Sequence, residues 1–128
     1  ALDFLQTMGA LHTEDEEVSL FPRLLASAGA EKDPTVGELV AMLQSQHLEK
    51  IVVLRKLLDL VAGFPASPDP PTREQVRRLD NLVGEIAEHY RPHIMIENQR
   101  LIPVSGEYLR PFELDLMRDE MRARRKNL

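Results

Sequence analysis

The sequence predicts an all-α fold, an antiparallel up-and-down bundle of long helices. Three observations carry this. Apolar residues recur every three or four positions through three stretches of about thirty residues each, the period of an amphipathic helix. Four of the nine prolines are gathered in one short segment between two of those stretches. No run alternates apolar and polar side chains as a half-buried strand does.

The 128 residues are expected to form one helical domain. The first helix is expected over residues 1–27, with Leu2, Leu5, Gly9, His12, Glu16, Leu20 and Leu24 on one stripe and Gly29 closing it. Periodicity is present from the first residues, so a segment upstream of ALDFLQ is expected. Asp33 followed by Pro34 is an N-cap and first-turn pair. It opens a second helix over 34–62, whose stripe is Val36, Leu39, Val40, Leu43, His47, Ile51, Leu54, Leu58 and Val61, ending at Gly63. FPASPDPPT then reads as an extended linker.

Thr72 with Gln75 three residues later is a capping box for a third helix over 72–104. Its inward set is Leu79, Leu82, Val83, Ile86, Tyr90, His93, Glu97 and Leu101, and Pro92 is expected to bend it. A shorter helix over 107–127 follows Pro103 and Gly106, with Leu109, Phe112, Leu116 and Met117 inward. Met8, Met42 and Met95 read as core filler at helical spacing.

Composition narrows the chemistry. A net charge of −5 gives no support to nucleic-acid binding. The basic end with Arg122, Arg124, Arg125 and Lys126 reads as a solvated last turn complementing the helix dipole. No apolar run approaches a membrane span, so the expected setting is cytoplasmic. Without cysteine there is no disulfide, thiolate metal site or thiol nucleophile, and a metal would be held by nitrogen and oxygen alone. Neither a glycine-rich phosphate loop nor a triad can be assembled, since Ser45 beside His47 has no oriented acid.

The informative feature is a repeat. An offset of 81 residues lays His12, Glu16, Leu20, Phe21 and Pro22 on His93, Glu97, Leu101, Ile102 and Pro103. Both read HxxxExxxL, a large apolar residue, then Pro. Histidine and glutamate four apart share a helix face, so each pair can aim at one centre inside a bundle. His47, alone in an apolar stripe, supplies a third direction. Neutral imidazoles with carboxylates suit iron or manganese in a helical bundle, and a cation offsets the cost of burying the carboxylates. Glu14, Asp15 and Glu17 then fall to the solvent side or the rim. His89, one turn before His93, reads as an added ligand, a donor to a bridging carboxylate, or a solvated histidine near the Pro92 bend. Tyr90 reads as core.

HTEDEEVSLFPRL and HIMIENQRLIPV, with a lone histidine between, resemble the hemerythrin-type HHE cation-binding domain over roughly residues 1–104. That family is a four-helix bundle holding a non-haem di-iron centre. The resemblance implies two iron ions, with Mn or Zn admissible. It implies His12 and His93 as terminal ligands, Glu16 and Glu97 as bridges and His47 as the ligand of the intervening helix. It also implies a further histidine on a first helix that this sequence lacks. Oxygen-carrying members have a second histidine one turn after the first where this chain has Ile51, and an aspartate five residues after the last motif histidine where this chain has Glu97 at four. Simple reversible oxygen carriage is thereby weakened. Iron sensing, NO binding, peroxide chemistry and storage stay open.

The expected role is binding or sensing O2, NO or another small diatomic, rather than catalysis, with a homodimer allowed and no nucleic-acid or membrane partner. The competing reading is a metal-free helical bundle acting as an interaction or regulatory module.

Overall fold

The computed structural model describes residues 2–64 and 69–128, and every regular element among them is helical. Helix α1 (Leu2–Glu14) passes directly into a π-helical turn (Asp15–Leu20) and then α2 (Phe21–Leu25). A short α3 (Ala28–Lys32) precedes the long α4 (Pro34–Ala62). Helix α5 (Arg73–Ile96) likewise runs into a second π turn (Glu97–Leu101) and α6 (Ile102–Tyr108), and α7 (Pro111–Arg124) ends the chain. The linker expected between α4 and α5 lies in part outside the described residues, as do the side chains of Leu2 and Leu5. Two compact units can be distinguished, one formed by the chain up to Gln44 with Asn98–Leu128, the other by Ser45–Glu97. Phe21, Leu24, Leu39, Leu43 and Leu101 are buried in the first, Val53 and Leu57 in the second.

The two π turns depart from the uninterrupted helices expected, and each leads into a proline of the repeat at the start of the next α-helical segment, whereas Pro92 is accommodated inside α5. In a regular helix the ring of Pro22 would collide with the carbonyl of Val18 and leave it without a donor. Widening the turn by one residue lets the Phe21 N–H reach the carbonyl of Glu16, five residues back, and places Pro22 in the first turn of α2, where no N–H is needed. Pro103 occupies the same place in α6.

The wide turn also resets the face. Eight residues of α-helix advance about 80° past two full turns, which would swing Leu24 away from Glu16. One inserted residue takes back about 100°, and both are buried. Helix α4 shows what happens without it. Leu39, Leu43 and His47 are buried, but each step of four overshoots by about 40°. Ile51, the next such step, is 53% exposed, and the buried positions resume at Val53 and Leu57. The expected inward place of Ile51 is therefore corrected.

Capping follows the local chemistry. Thr72 Oγ1 accepts from the Gln75 N–H (3.2 Å) while Gln75 Oε1 accepts from the Thr72 N–H (2.8 Å). Asp33 Oδ1 accepts from the N–H (3.1 Å) and hydroxyl (2.6 Å) of Thr35 at the start of α4. The Tyr108 hydroxyl donates to the other oxygen of Asp33 at 2.9 Å. These bonds, the Thr35 hydroxyl first, hold the Asp33 carboxyl below its ordinary value, and the same contact raises the Tyr108 phenol.

Gly29 does not close the first helix. Helix α2 ends at Leu25, and Ser27, whose hydroxyl accepts from the Ala30 N–H at 3.2 Å, opens α3 with Gly29 inside it. Gly29 is required there because an added Cβ would overlap Cγ and Cδ1 of the Tyr108 ring, close to the ring's attachment, where rotation gives little relief. Gly29→Ala is expected to cost about 1–3 kcal/mol, against the gain that alanine ordinarily brings inside a helix. Chemical denaturation would read this, and a stabilised variant would contradict the packing.

In α7, Met117 is buried, as is Leu109 just before that helix, but Phe112 and Leu116 are exposed. Val83 and Met95 are exposed on α5 as well. Four inward positions expected from apolar character alone are thus outward, since a helix of this length buries one stripe and leaves its other apolar residues in water.

Candidate metal centre

The second unit gathers three polar side chains in a buried place. His47 comes from α4, His93 from the last turn of α5 and Glu97 from the first residue of the second π turn. Each presents one ligand atom, and these atoms lie within 4.8 Å of one another. The His47 and His93 rings meet edge to face, their centroids 4.9 Å apart and their planes at 65°. His93 and Glu97 are brought together by the four-residue spacing, with Nε2 and Oε1 2.6 Å apart.

Despite that short distance, the buried His93 Nε2 makes no hydrogen bond. On the opposite side of the ring, Nδ1 lies 2.8 Å from Gln46 Oε1. A glutamine carbonyl can only accept, so Nδ1 donates to it, and in the neutral ring Nε2 is left with the lone pair on the Glu97 side. A lone pair and a carboxylate oxygen at this distance repel each other, and a cation between them removes the conflict. Residues that orient a ligating imidazole through its other nitrogen are a regular part of metal sites. Gln46 holds the matching place beside His93 Nδ1, and no periodic signal marks it in sequence.

In the first unit, Glu16 lies in the first π turn and is buried, 3.6 Å through Oε1 from Nε2 of His12, one turn earlier. The His12 side chain is 51% exposed, in contrast to the other four sequence-derived candidates. His89 is not among the clustered atoms. Its Nδ1 lies 3.6 Å from Glu49 Oε2, with both side chains partly in water. Glu17 accepts a hydrogen bond from Gln44 Nε2 at 2.9 Å. Tyr90 is half-buried under the Lys50 ammonium, 5.1 Å above its ring, and burial raises its phenol.

Asp15 overturns its expected place at the rim. It is buried, with Oδ1 2.8 Å from Arg124 Nη1 and Oδ2 2.5 Å from Arg125 Nη2. Arg124 and Arg125 are accordingly no solvated tail, though Arg122 and Lys126 are exposed. Ser19, in the same π turn, accepts from Arg124 Nη2 (2.6 Å) and donates to Glu120 Oε2 (2.5 Å). Arg23 closes a two-bonded fork on Glu120 at 3.0 and 2.6 Å. That fork, followed by the Ser19 hydroxyl, holds the Glu120 carboxyl down at about 2.

Residues 1–105 match the family model of the hemerythrin HHE cation binding domain. The chain belongs to this family. Its all-α fold is the hemerythrin-like helical bundle, and the buried His47, His93 and Glu97 form a cluster that could hold a metal ion. No match is found among curated proteins or among solved structures. No helix among the described residues of this HHE domain is long and apolar enough to cross a membrane. With two imidazoles, a carboxylate and no thiolate, the buried cluster fits a divalent first-row cation such as iron, manganese or zinc.

Proposed function

We propose that the chain holds two non-haem iron ions through His12, Glu16, His47, His93 and Glu97, and that it binds or senses a small diatomic molecule, O2 or NO. The observation that carries the reading is the convergence of His47, His93 and Glu97, with Gln46 Oε1 2.8 Å from His93 Nδ1 on the far side of the ring. The sequence repeat supports adding Glu16 and His12, since each motif offers one histidine and one carboxylate at the same spacing. Two carboxylates able to bridge suit a pair of ions better than a single one.

In this reading each residue has a distinct task. The three imidazoles bind as neutral donors. Glu16 and Glu97, both buried, supply negative charge that compensates the cations. Gln46 keeps His93 aimed. When bound, the irons supply an open coordination position and the electrons that a diatomic ligand demands.

Anaerobic titration with ferrous ion, with metal analysis after removal of excess and then exposure to oxygen and azide, tests this. The expected result is about two irons per chain, with near-ultraviolet and visible bands of a bridged ferric pair. One ion per chain would replace the di-iron assignment with a mononuclear site. No stoichiometric metal would overturn the reading in favour of a metal-free interaction module.

A further inference from the structure

Helix α7 lies beyond the residues that match the family, yet its last turn is fastened to the π turn that carries Glu16. Arg124 and Arg125 grip both oxygens of Asp15, the residue immediately before Glu16. Arg124 also reaches Ser19 Oγ, and lies 3.6 Å through Nε from Glu14 Oε1. Glu120 Oε2 accepts a hydrogen bond from the Ser19 hydroxyl at 2.5 Å while Arg23, one turn beyond Ser19, braces Glu120. A six-residue turn is therefore held at two points, Asp15 and Ser19, on the side facing α7.

We propose that Arg124, Arg125 and Glu120 are positioning residues for Glu16, so that the cation affinity of the domain depends on α7. This rests on Glu16 being a ligand. A π turn is an α-turn with one extra residue, and relaxing it rotates what it carries by up to about 100°. Points of attachment one turn apart oppose that rotation. Charge-assisted bonds from two guanidinium groups to a buried carboxylate are strong and directional. Surface pairing alone would need neither the burial of Asp15 nor the donation from Ser19.

Cobalt(II) serves as the probe, since its visible absorption reports both occupancy and ligand geometry. The full chain, the Arg124→Gln/Arg125→Gln double variant and the milder Glu120→Gln are titrated below their melting temperatures. Leu39→Ala provides a control destabilised in the core without touching the clamp. The double variant is expected to bind about 10–100-fold more weakly, with an altered absorption envelope at saturation, as removal of residues that orient ligands does elsewhere. Glu120→Gln is expected to shift both in the same direction by less, which keeps the test in hand if the double variant does not fold. Leu39→Ala should melt lower yet bind with the parent affinity and spectrum. If the parent binds cobalt and both clamp variants match it in affinity and spectrum, or if Leu39→Ala weakens binding as much as they do, the positioning role is overturned while the metal site stands. If the parent binds none, the metal assignment itself falls and the positioning role with it.

Discussion

Replacing His93 by alanine is expected to weaken metal binding by more than about a hundredfold while the chain remains helical. The ring is one of the three side chains that converge in the second unit, and its Nε2 is the buried atom 2.6 Å from Glu97 that makes no hydrogen bond. In the proposed site its removal deletes a ligand, and losses from merely disturbing the residues behind a ligand already reach about 10–100-fold. The fold should tolerate the change. What is lost in packing is one bond to Gln46 and the edge contact with His47, a cost of about 1–3 kcal/mol for the partner left behind. Isothermal titration with ferrous or cobalt ion, beside far-ultraviolet circular dichroism, separates the two effects. Gln46→Leu, which leaves every ligand in place but releases the tautomer, is expected to fall between the parent and His93→Ala. Unchanged binding in His93→Ala would remove His93 from the site.

The residues that form the candidate site differ in how openly the sequence shows them. His93 and Glu97 stand four apart, and that spacing alone places their side chains together on a helix. His47 stands out because a polar residue interrupts an apolar stripe, and it is buried. The start of α4 is written in Asp33 and Pro34, and that of α5 in Thr72 and Gln75.

Other features are hidden for physical reasons. Asp15 sits in the run EDEE, which looks like a solvated face, and its partners Arg124 and Arg125 lie more than a hundred positions away, where no local period can link them. Gln46 is adjacent to His47 and thus about 100° around the helix, outside any stripe that contains it. The π turns left a trace that can be read in hindsight. Steps of four sustained over several turns cannot hold one face of a regular α-helix, and here they run up to the proline that opens the next α-helical segment. Steps of four in α4 point to Ile51 as inward, but no wide turn exists there to absorb the drift and Ile51 is exposed.

The same register argument makes a second large effect predictable. Leu24→Ala is expected to destabilise the protein by about 3 kcal/mol, whereas Leu25→Ala should change it by less than about 0.5 kcal/mol. The two residues are neighbours with the same side chain, so helix propensity and transfer free energy are matched and only their direction differs. Leu24 is completely buried and Leu25 is 47% exposed. Leu24 owes its inward direction to the residue inserted at Asp15–Leu20, which returns it to the face of Glu16. For a chain of this size the larger cost should lower the melting temperature by about 10 °C. Thermal and urea unfolding of the two variants would measure the contrast. Equal losses, or a greater loss at Leu25, would mean that the first π turn does not set the register of α2. The stripe joining the Glu16 carboxylate to the core of the first unit would then have to be redrawn.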